Sequence, residues 1–131
     1  MDRTLTLVLY MAVLTWFTLL AATLIRVKGW TWPGTMLAFG NRDNLPDATA
    51  FAGRAERAAR NTAENFMLFA AIALVAHAAG SSSPRVAAGA ELFFWARVLY
   101  VPVYYAGIKF LRTTVWLVGI VGLGMMISVM L

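Results

Sequence analysis

The segment Arg54-Ala55-Glu56-Arg57-Ala58-Ala59-Arg60-Asn61-Thr62-Ala63-Glu64 carries five charges in eleven residues and runs without a break into Phe66–Ala79, fourteen almost wholly apolar residues. On a helix, Arg57, Arg60, Asn61 and Glu64 fall at i, i+3, i+4 and i+7 and share a face. Ala55, Ala58, Ala59 and Ala63 fall largely elsewhere, on a small-residue surface suited to close packing. Fourteen helical residues rise only about 21 Å, short of the roughly 20 residues that cross a hydrocarbon core. A crossing helix therefore draws Glu64, Asn61 and at most Arg60 to headgroup level or below. Ionisable groups at that depth are costly and face a protein interior or a wet cavity, which makes the stripe a candidate site.

The rest of the chain explains why a membrane is invoked at all. Of 131 residues, 61% are hydrophobic and 13% charged, outside the range of soluble globular domains. A soluble four-helix bundle needs a polar face on every helix, and three long segments here lack one. The length suits a single domain spanning 1–131. The net charge of +5 does not indicate a nucleic-acid binder, because the basic residues cluster at segment ends; anionic lipid headgroups or a small anionic ligand fit them better. The absence of cysteine excludes disulfides, thiolate metal sites and a cysteine nucleophile. The single histidine, His77, has no nearby carboxylates, so no metal site is expected and its role is structural or interfacial.

Leu5–Ile25 is a charge-free apolar run of 21 residues, long enough to span as a first helix and longer than the apolar region of a usual signal peptide. Arg26 to about Phe51 reads as the one sizeable polar connection, rich in turn signals, with Trp30 and Trp32 suited to the interface. Asp47 or Thr49 is placed to cap a second helix over about 49–79. Ser83-Pro84 reads as an N-cap and first helical position, opening a third helix over about 85–109 in which Pro102 is expected to cause a bend near Val98. A short basic turn, Lys109–Thr113, leads to a fourth helix over about 114–131, with Gly119, Gly122 and Gly124 as close-packing positions. The expectation is an all-α membrane protein, a bundle of four transmembrane helices. Loops one and three, with the helix ends they join, hold eight cations and the opposite side holds Arg3 and Arg85. The positive-inside rule puts those two loops in the cytoplasm and both termini opposite, in the inner membrane if the source is bacterial.

Arg54, Arg57 and Arg60 on one helix repel unless something negative lies among them. Arginine's planar fork of donors suits carboxylate or phosphate. Asn61 both donates and accepts, and Glu64 accepts from a ligand's ammonium group. The combination suits a small zwitterion with several carboxylates; mutual pairing within the bundle accounts for it equally well. Arg97, Tyr100 and Tyr104, at i, i+3 and i+7, form a second stripe. Arg97 needs a carboxylate or a cavity, and an Arg97–Glu64 pair between the second and third helices is expected, with Glu91 the other available acid.

Arg57-Ala58-Ala59-Arg60-Asn61-Thr62-Ala63-Glu64 resembles the R-x-x-R-N-x-x-E signature of the second helix in the MAPEG family, the membrane-associated proteins in eicosanoid and glutathione metabolism. Arg97-x-x-Tyr100-x-x-x-Tyr104 resembles the R-x-x-Y-x-x-x-Y pattern of that family's third helix, and the resemblance, to a small bacterial-type member, covers nearly the whole chain. It implies a homotrimer of four-helix bundles with glutathione, as cosubstrate, held between neighbouring subunits. Arg57, Arg60, Asn61 and Glu64 are then glutathione-binding from one subunit, and Arg97, Tyr100 and Tyr104 from its neighbour. Arg26 matches a basic residue that meets a glutathione carboxylate. Arg112 lies near the catalytic arginine thought to stabilise the thiolate at the start of the fourth helix, and Asn65 stands where some members have an aromatic residue. The implied activity is glutathione transferase or peroxidase chemistry on a lipophilic electrophile or hydroperoxide arriving from the membrane lipids. The alternative is a non-catalytic accessory membrane protein whose polar stripe binds a lipid headgroup or partner subunit.

Overall fold

The computed structural model describes residues 1–131. It contains five helices and no strand: α1 (Arg3–Val27), α2 (Trp32–Phe39), α3 (Ala50–Ala78), α4 (Pro84–Ala106) and α5 (Lys109–Ile127). Four of the five starts are chemically signed. Asp2 caps α1 by accepting from the Thr4 amide, Thr31 caps α2 through Gly34, Thr49 caps α3 through Ala52, and Ser83 caps α4 through Arg85. All four are residues that satisfy the orphan amides of a first turn.

Three helices, α1, α4 and α5, are long and apolar enough to cross a membrane. Their outward surfaces carry large apolar groups: Leu9, Val13, Trp16, Phe17 and Leu24 of α1, and Leu117 and Val121 of α5, are exposed. The inward side of α1 is partly polar. Thr15 donates to the Met11 carbonyl at 2.7 Å and Thr18 to the Thr15 carbonyl at 2.8 Å, so both buried hydroxyls are satisfied within the helix.

Two boundaries differ from the sequence expectation. The first connection contains α2, because Thr31-Trp32-Pro33 is itself an N-cap followed by a proline in the first turn. The turn between α4 and α5 is not Lys109–Thr113. Gly107 adopts φ +75°, a conformation that only glycine takes freely, closes α4, and lets α5 begin at Lys109. Lys109 and Arg112 are therefore helical residues with fixed directions. Helix α4 runs through Pro102 without interruption.

The core centres on Leu7, Met11, Phe69, Phe93, Leu123 and Met126, with Phe69 and Phe93 stacked at 4.5 Å between centroids. Helices α4 and α5 cross at two glycines. A Cβ on Gly122 falls 2.6 Å from the Gly89 carbonyl oxygen and 2.9 Å from the Phe93 nitrogen. Gly119 is buried beside Ala96, but Gly124 has nothing within 4 Å and is not a packing position. Because the obstacle at Gly122 is backbone, Gly122→Ala is expected to cost about 1–3 kcal/mol and to lower the thermal unfolding midpoint in detergent. Gly124→Ala is expected to leave that midpoint unchanged.

Candidate ligand-binding cleft

Helix α3 lies between α1 and α4, and its alanines set the approach on both sides. Ala55 and Ala59 pack with Ala22 of α1; Ala58 packs with Tyr100 and Tyr104 of α4. Wherever two helices close on such small residues, the longer side chains beside them are pushed to the margins. The polar stripe of α3 is thereby divided. Arg57 and Asn61 stand on the α4–α5 side, while Arg60 joins Glu56 and Arg26 on the α1 side.

On the α4–α5 side, Arg54, Arg57, Lys109 and Arg112 line one cavity of about 480 Å³ that has no acidic residue in its wall. The first turns of α3 and α5 also line it, so the positive ends of two helix dipoles reinforce the four cations. No side chain caps α5, which leaves its first amides available to an anion. Arg54 donates to the Tyr105 carbonyl at 3.0 Å, and Arg57 donates to the Tyr104 hydroxyl at 3.2 Å. Neither contact neutralises charge.

Arg112 also lines a second, smaller cavity of about 140 Å³ with Asn61, Tyr100, Thr113 and Trp116. Its guanidinium carbon lies 4.4 Å from the centre of the Tyr104 ring. Asn61 is oriented by Asn65, whose Nδ2 donates to the Asn61 backbone oxygen at 2.9 Å and to its Oδ1 at 3.2 Å. The carbonyl oxygen can only accept, so the Asn65 amide is fixed with nitrogen towards it, and Asn61 must in turn present oxygen. The Asn61 NH2 group is left without a partner in the chain.

Arg97 does not pair with Glu64. It is only 1% exposed, its Nη2 donates to the Thr62 hydroxyl at 2.9 Å, and its guanidinium carbon lies 4.0 Å from the Tyr100 ring centre. Its Nε and Nη1 have no hydrogen-bond partner. Glu64 is exposed and makes no ion pair. The other available acid, Glu91, is taken by Arg3 and by the Trp95 indole, which donates to it at 3.0 Å. The register explains the failure: Thr62, not Glu64, is the α3 residue buried against α4. Arg97 thus underlies the cleft as part of its floor, behind Tyr100, and does not line either cavity.

Of the nine residues singled out from the sequence, Arg57, Asn61, Tyr100, Tyr104 and Arg112 come together here. They do so within one chain, so the second stripe meets the first without help from a neighbour. Arg26 and Arg60 lie across α3, Glu64 stands apart, and Arg97 is beneath. Arg54, read from the sequence only as one of three mutually repelling arginines, lies three residues before Arg57 and lines the same cavity. Lys109, whose assignment to a turn hid its direction, and Thr62 and Asn65, interior to the motif or at its edge, were not expected to shape the site.

These features define a class: an all-helical membrane protein with a cationic, ligand-sized cleft at one end of the bundle. The model of the MAPEG family matches residues 4–131, and the chain belongs to that family, which includes glutathione transferases and related membrane proteins. No curated protein and no solved structure matches the chain.

Thr62 supplies the only hydrogen bond to the buried Arg97 guanidinium. Thr62→Val is expected to destabilise the fold by about 1–3 kcal/mol, the cost of leaving a buried charged donor unpaired, whereas Thr62→Ser retains the hydroxyl. Thermal unfolding of the two variants in the same detergent separates them: the valine variant melts lower and the serine variant close to the parent.

Proposed function

We propose that the chain binds glutathione in the cleft between α3, α4 and α5 and presents its thiol to a lipophilic electrophile or hydroperoxide, as a glutathione transferase or peroxidase. The observation that carries this reading is a cavity walled by four cations and no acid, with Arg112 shared by a smaller cavity that holds the free Asn61 amide. Glutathione has two carboxylates and one thiol, and the residues present fit it. Arg54, Arg57 and Lys109 at the mouth match the carboxylates, the two arginines by paired N–H donors. Asn61 supplies a further donor. Bound glutathione supplies a sulfur nucleophile, which the chain otherwise lacks, having no cysteine.

The protein's part is electrostatic and positional. A guanidinium near a thiol favours its ionised form, more strongly where the local dielectric is low. Arg112, which lines both cavities and is braced on Tyr104, is the group placed to do this. Tyr100 and Trp116 provide the apolar wall against which a hydrophobic co-substrate is held.

The same reading includes a homotrimer of four-helix bundles in which α3 is the fourth crossing. Supporting it, Arg60 and Glu64 are exposed on the isolated chain at a depth where unpaired charge is unfavourable; a neighbouring copy against α3 covers them. It also includes an orientation with the α1–α3 and α4–α5 connections cytoplasmic. Supporting this, the cationic cleft and the Arg26–Glu56 pair lie at the same end of the bundle, while only Arg3 and Arg85 mark the other. The cysteine-free chain makes the orientation simple to measure. Asn44→Cys is expected to react with a membrane-impermeant maleimide only after the cytoplasmic face is opened, and Ser82→Cys in intact cells.

Titration of detergent-purified protein with glutathione, by calorimetry, tests binding. Arg57→Ala is expected to weaken the affinity about tenfold or more, the worth of one charge-assisted hydrogen bond. Arg112→Ala is expected to lower turnover of an activated aryl chloride, with the pH profile of the reaction shifted upwards as the thiol loses its cationic neighbour. No heat and no turnover overturns the proposal; heat without turnover assigns the cleft to ligand binding in an accessory protein.

A further inference from the structure

Helix α2 presents an apolar stripe that nothing in the chain covers. Trp32, Met36 and Phe39 fall at i, i+4 and i+7, one face of the helix, and Trp32 and Phe39 are 73% and 82% exposed. Trp30, just before the helix, is exposed as well. The opposite face is spent on the chain itself: Gly34 is buried, and Leu37 lines a cavity of about 370 Å³ with Val27, Phe51 and Ala52. No residue of α2 is charged. Surfaces that face water rarely leave such a patch uncovered.

The height of this stripe is set by the end of α1. The charge-free run Leu5–Ile25 has 21 residues, about 31 Å of helix, which matches a hydrocarbon core of about 30 Å. Lys28, with φ +53°, then ends α1, and the Gly29 amide donates to the Leu24 carbonyl at 2.9 Å. The Thr31 amide and hydroxyl donate to the Lys28 carbonyl at 2.9 and 2.7 Å, and the Thr35 hydroxyl donates to the Gly29 carbonyl at 3.0 Å. A Cβ on Gly34 falls 2.0 Å from the Lys28 carbonyl oxygen and 2.3 Å from that of Val27. Helix α2 is thus pressed onto the last turn of α1, with no freedom to swing towards bulk water. Where α1 leaves the hydrocarbon, α2 meets the headgroup layer, the level that tryptophan's apolar ring and polar N–H suit. Exposed Leu20 and Leu24 carry the lipid-facing surface of α1 up to it. Nearby charge is mixed: Lys28 and Arg42 flank α2 without an acidic partner, but Asp43 and Asp47 follow in the same connection. Apolar contact, not net charge, is what the stripe offers.

We infer that α2 is a membrane-surface helix, its Trp32, Met36 and Phe39 stripe seated in the bilayer at the boundary between phospholipid headgroups and acyl chains. A neighbouring copy is the other conceivable cover, but in the trimer reading it stands against α3, where Arg60 and Glu64 call for partners, and the α2 stripe has no polar group to match. Thr49, the N-cap of α3, lines both the cavity under α2 and the cationic cleft. The seat of α2 therefore holds the start of α3, and with it the mouth of the cleft, at headgroup level. The inference rests on the membrane class of the chain and stands whether or not the cleft binds glutathione.

The absence of cysteine allows one spin label at a time, on Trp32→Cys, Met36→Cys, Phe39→Cys or Asn44→Cys, all at exposed positions. The full chain is reconstituted in phosphatidylcholine vesicles with a nickel chelate on both faces, and relaxation of each label by oxygen, which concentrates in lipid, is compared with relaxation by the chelate, which stays in water. The expected result is that oxygen outweighs the chelate at the three α2 labels and that the order reverses on Asn44→Cys. Adding phosphatidylglycerol is expected to leave both orders unchanged. Chelate outweighing oxygen at the α2 labels overturns the inference, since the stripe then faces water. So does protection from both reagents, because a neighbouring copy then covers it. Access to oxygen that appears only with phosphatidylglycerol overturns it too, because charge and not the apolar stripe then holds the helix.

Discussion

A guanidinium buried to 1% exposure without a carboxylate partner is the constraint around which the cleft is built. Burial of such a charge is expensive unless something answers it. Here the answer is the Thr62 hydroxyl on one side and the face of Tyr100 on the other, a cation–π contact of the kind worth about 2 kcal/mol when desolvated. Each partner comes from a different helix, so Arg97 locks the register of α3 against α4. Tyr100 in turn meets Tyr104 edge-on at 5.5 Å, and Tyr104 receives the Arg57 donor and lies under Arg112. Two of the cations that make the cleft, Arg57 and Arg112, are thus positioned through a continuous run of contacts that starts at the buried arginine.

The division of α3 follows from the same packing. Alanine faces α1 through Ala55 and Ala59 and faces α4 through Ala58, which brings both neighbours close and leaves the arginines no room between them. A helix drawn as a wheel puts Arg57 and Arg60 on one side, since three residues are only about 60° short of a full turn. With a neighbouring helix wedged along Ala58 and another along Ala59, that angle is enough to separate them into two cavities. What reads as one polar face in projection becomes two basic margins.

Much of the fold was legible. The apolar run of α1, the Thr49 and Ser83-Pro84 starts of α3 and α4, and the Gly122 crossing each rest on local chemistry that a sequence displays. So did the family, carried by the Arg57–Glu64 and Arg97–Tyr104 spacings. The parts that were not legible depend on two kinds of non-local information. Whether Lys109 and Arg112 belong to a turn or a helix hinged on the backbone angle of Gly107, and a glycine does not announce which of its permitted conformations it will take. The partner of Arg97 hinged on which α3 residue is buried against α4, a matter of helix rotation that composition leaves open; choosing the acid over the hydroxyl followed charge where packing decided. Asn65 was noted for what it replaced, yet its use is to turn the Asn61 amide.

On the glutathione proposal, the unequal surroundings of the cations assign them unequal roles. Two unit charges about 4 Å apart interact by roughly 1 kcal/mol in bulk water but about 4 kcal/mol at the effective dielectric of a protein margin. Arg54, Arg57 and Lys109 line the wide mouth, where water and salt weaken each contact, so they select and orient an anionic ligand without greatly altering its ionisation. Arg112 alone lines both that mouth and the smaller cavity, where Tyr100 and Trp116 stand beside it. It is therefore the cation placed to act on a thiol held there. Recognition is accordingly spread over several residues, whereas activation of the sulfur rests on one side chain.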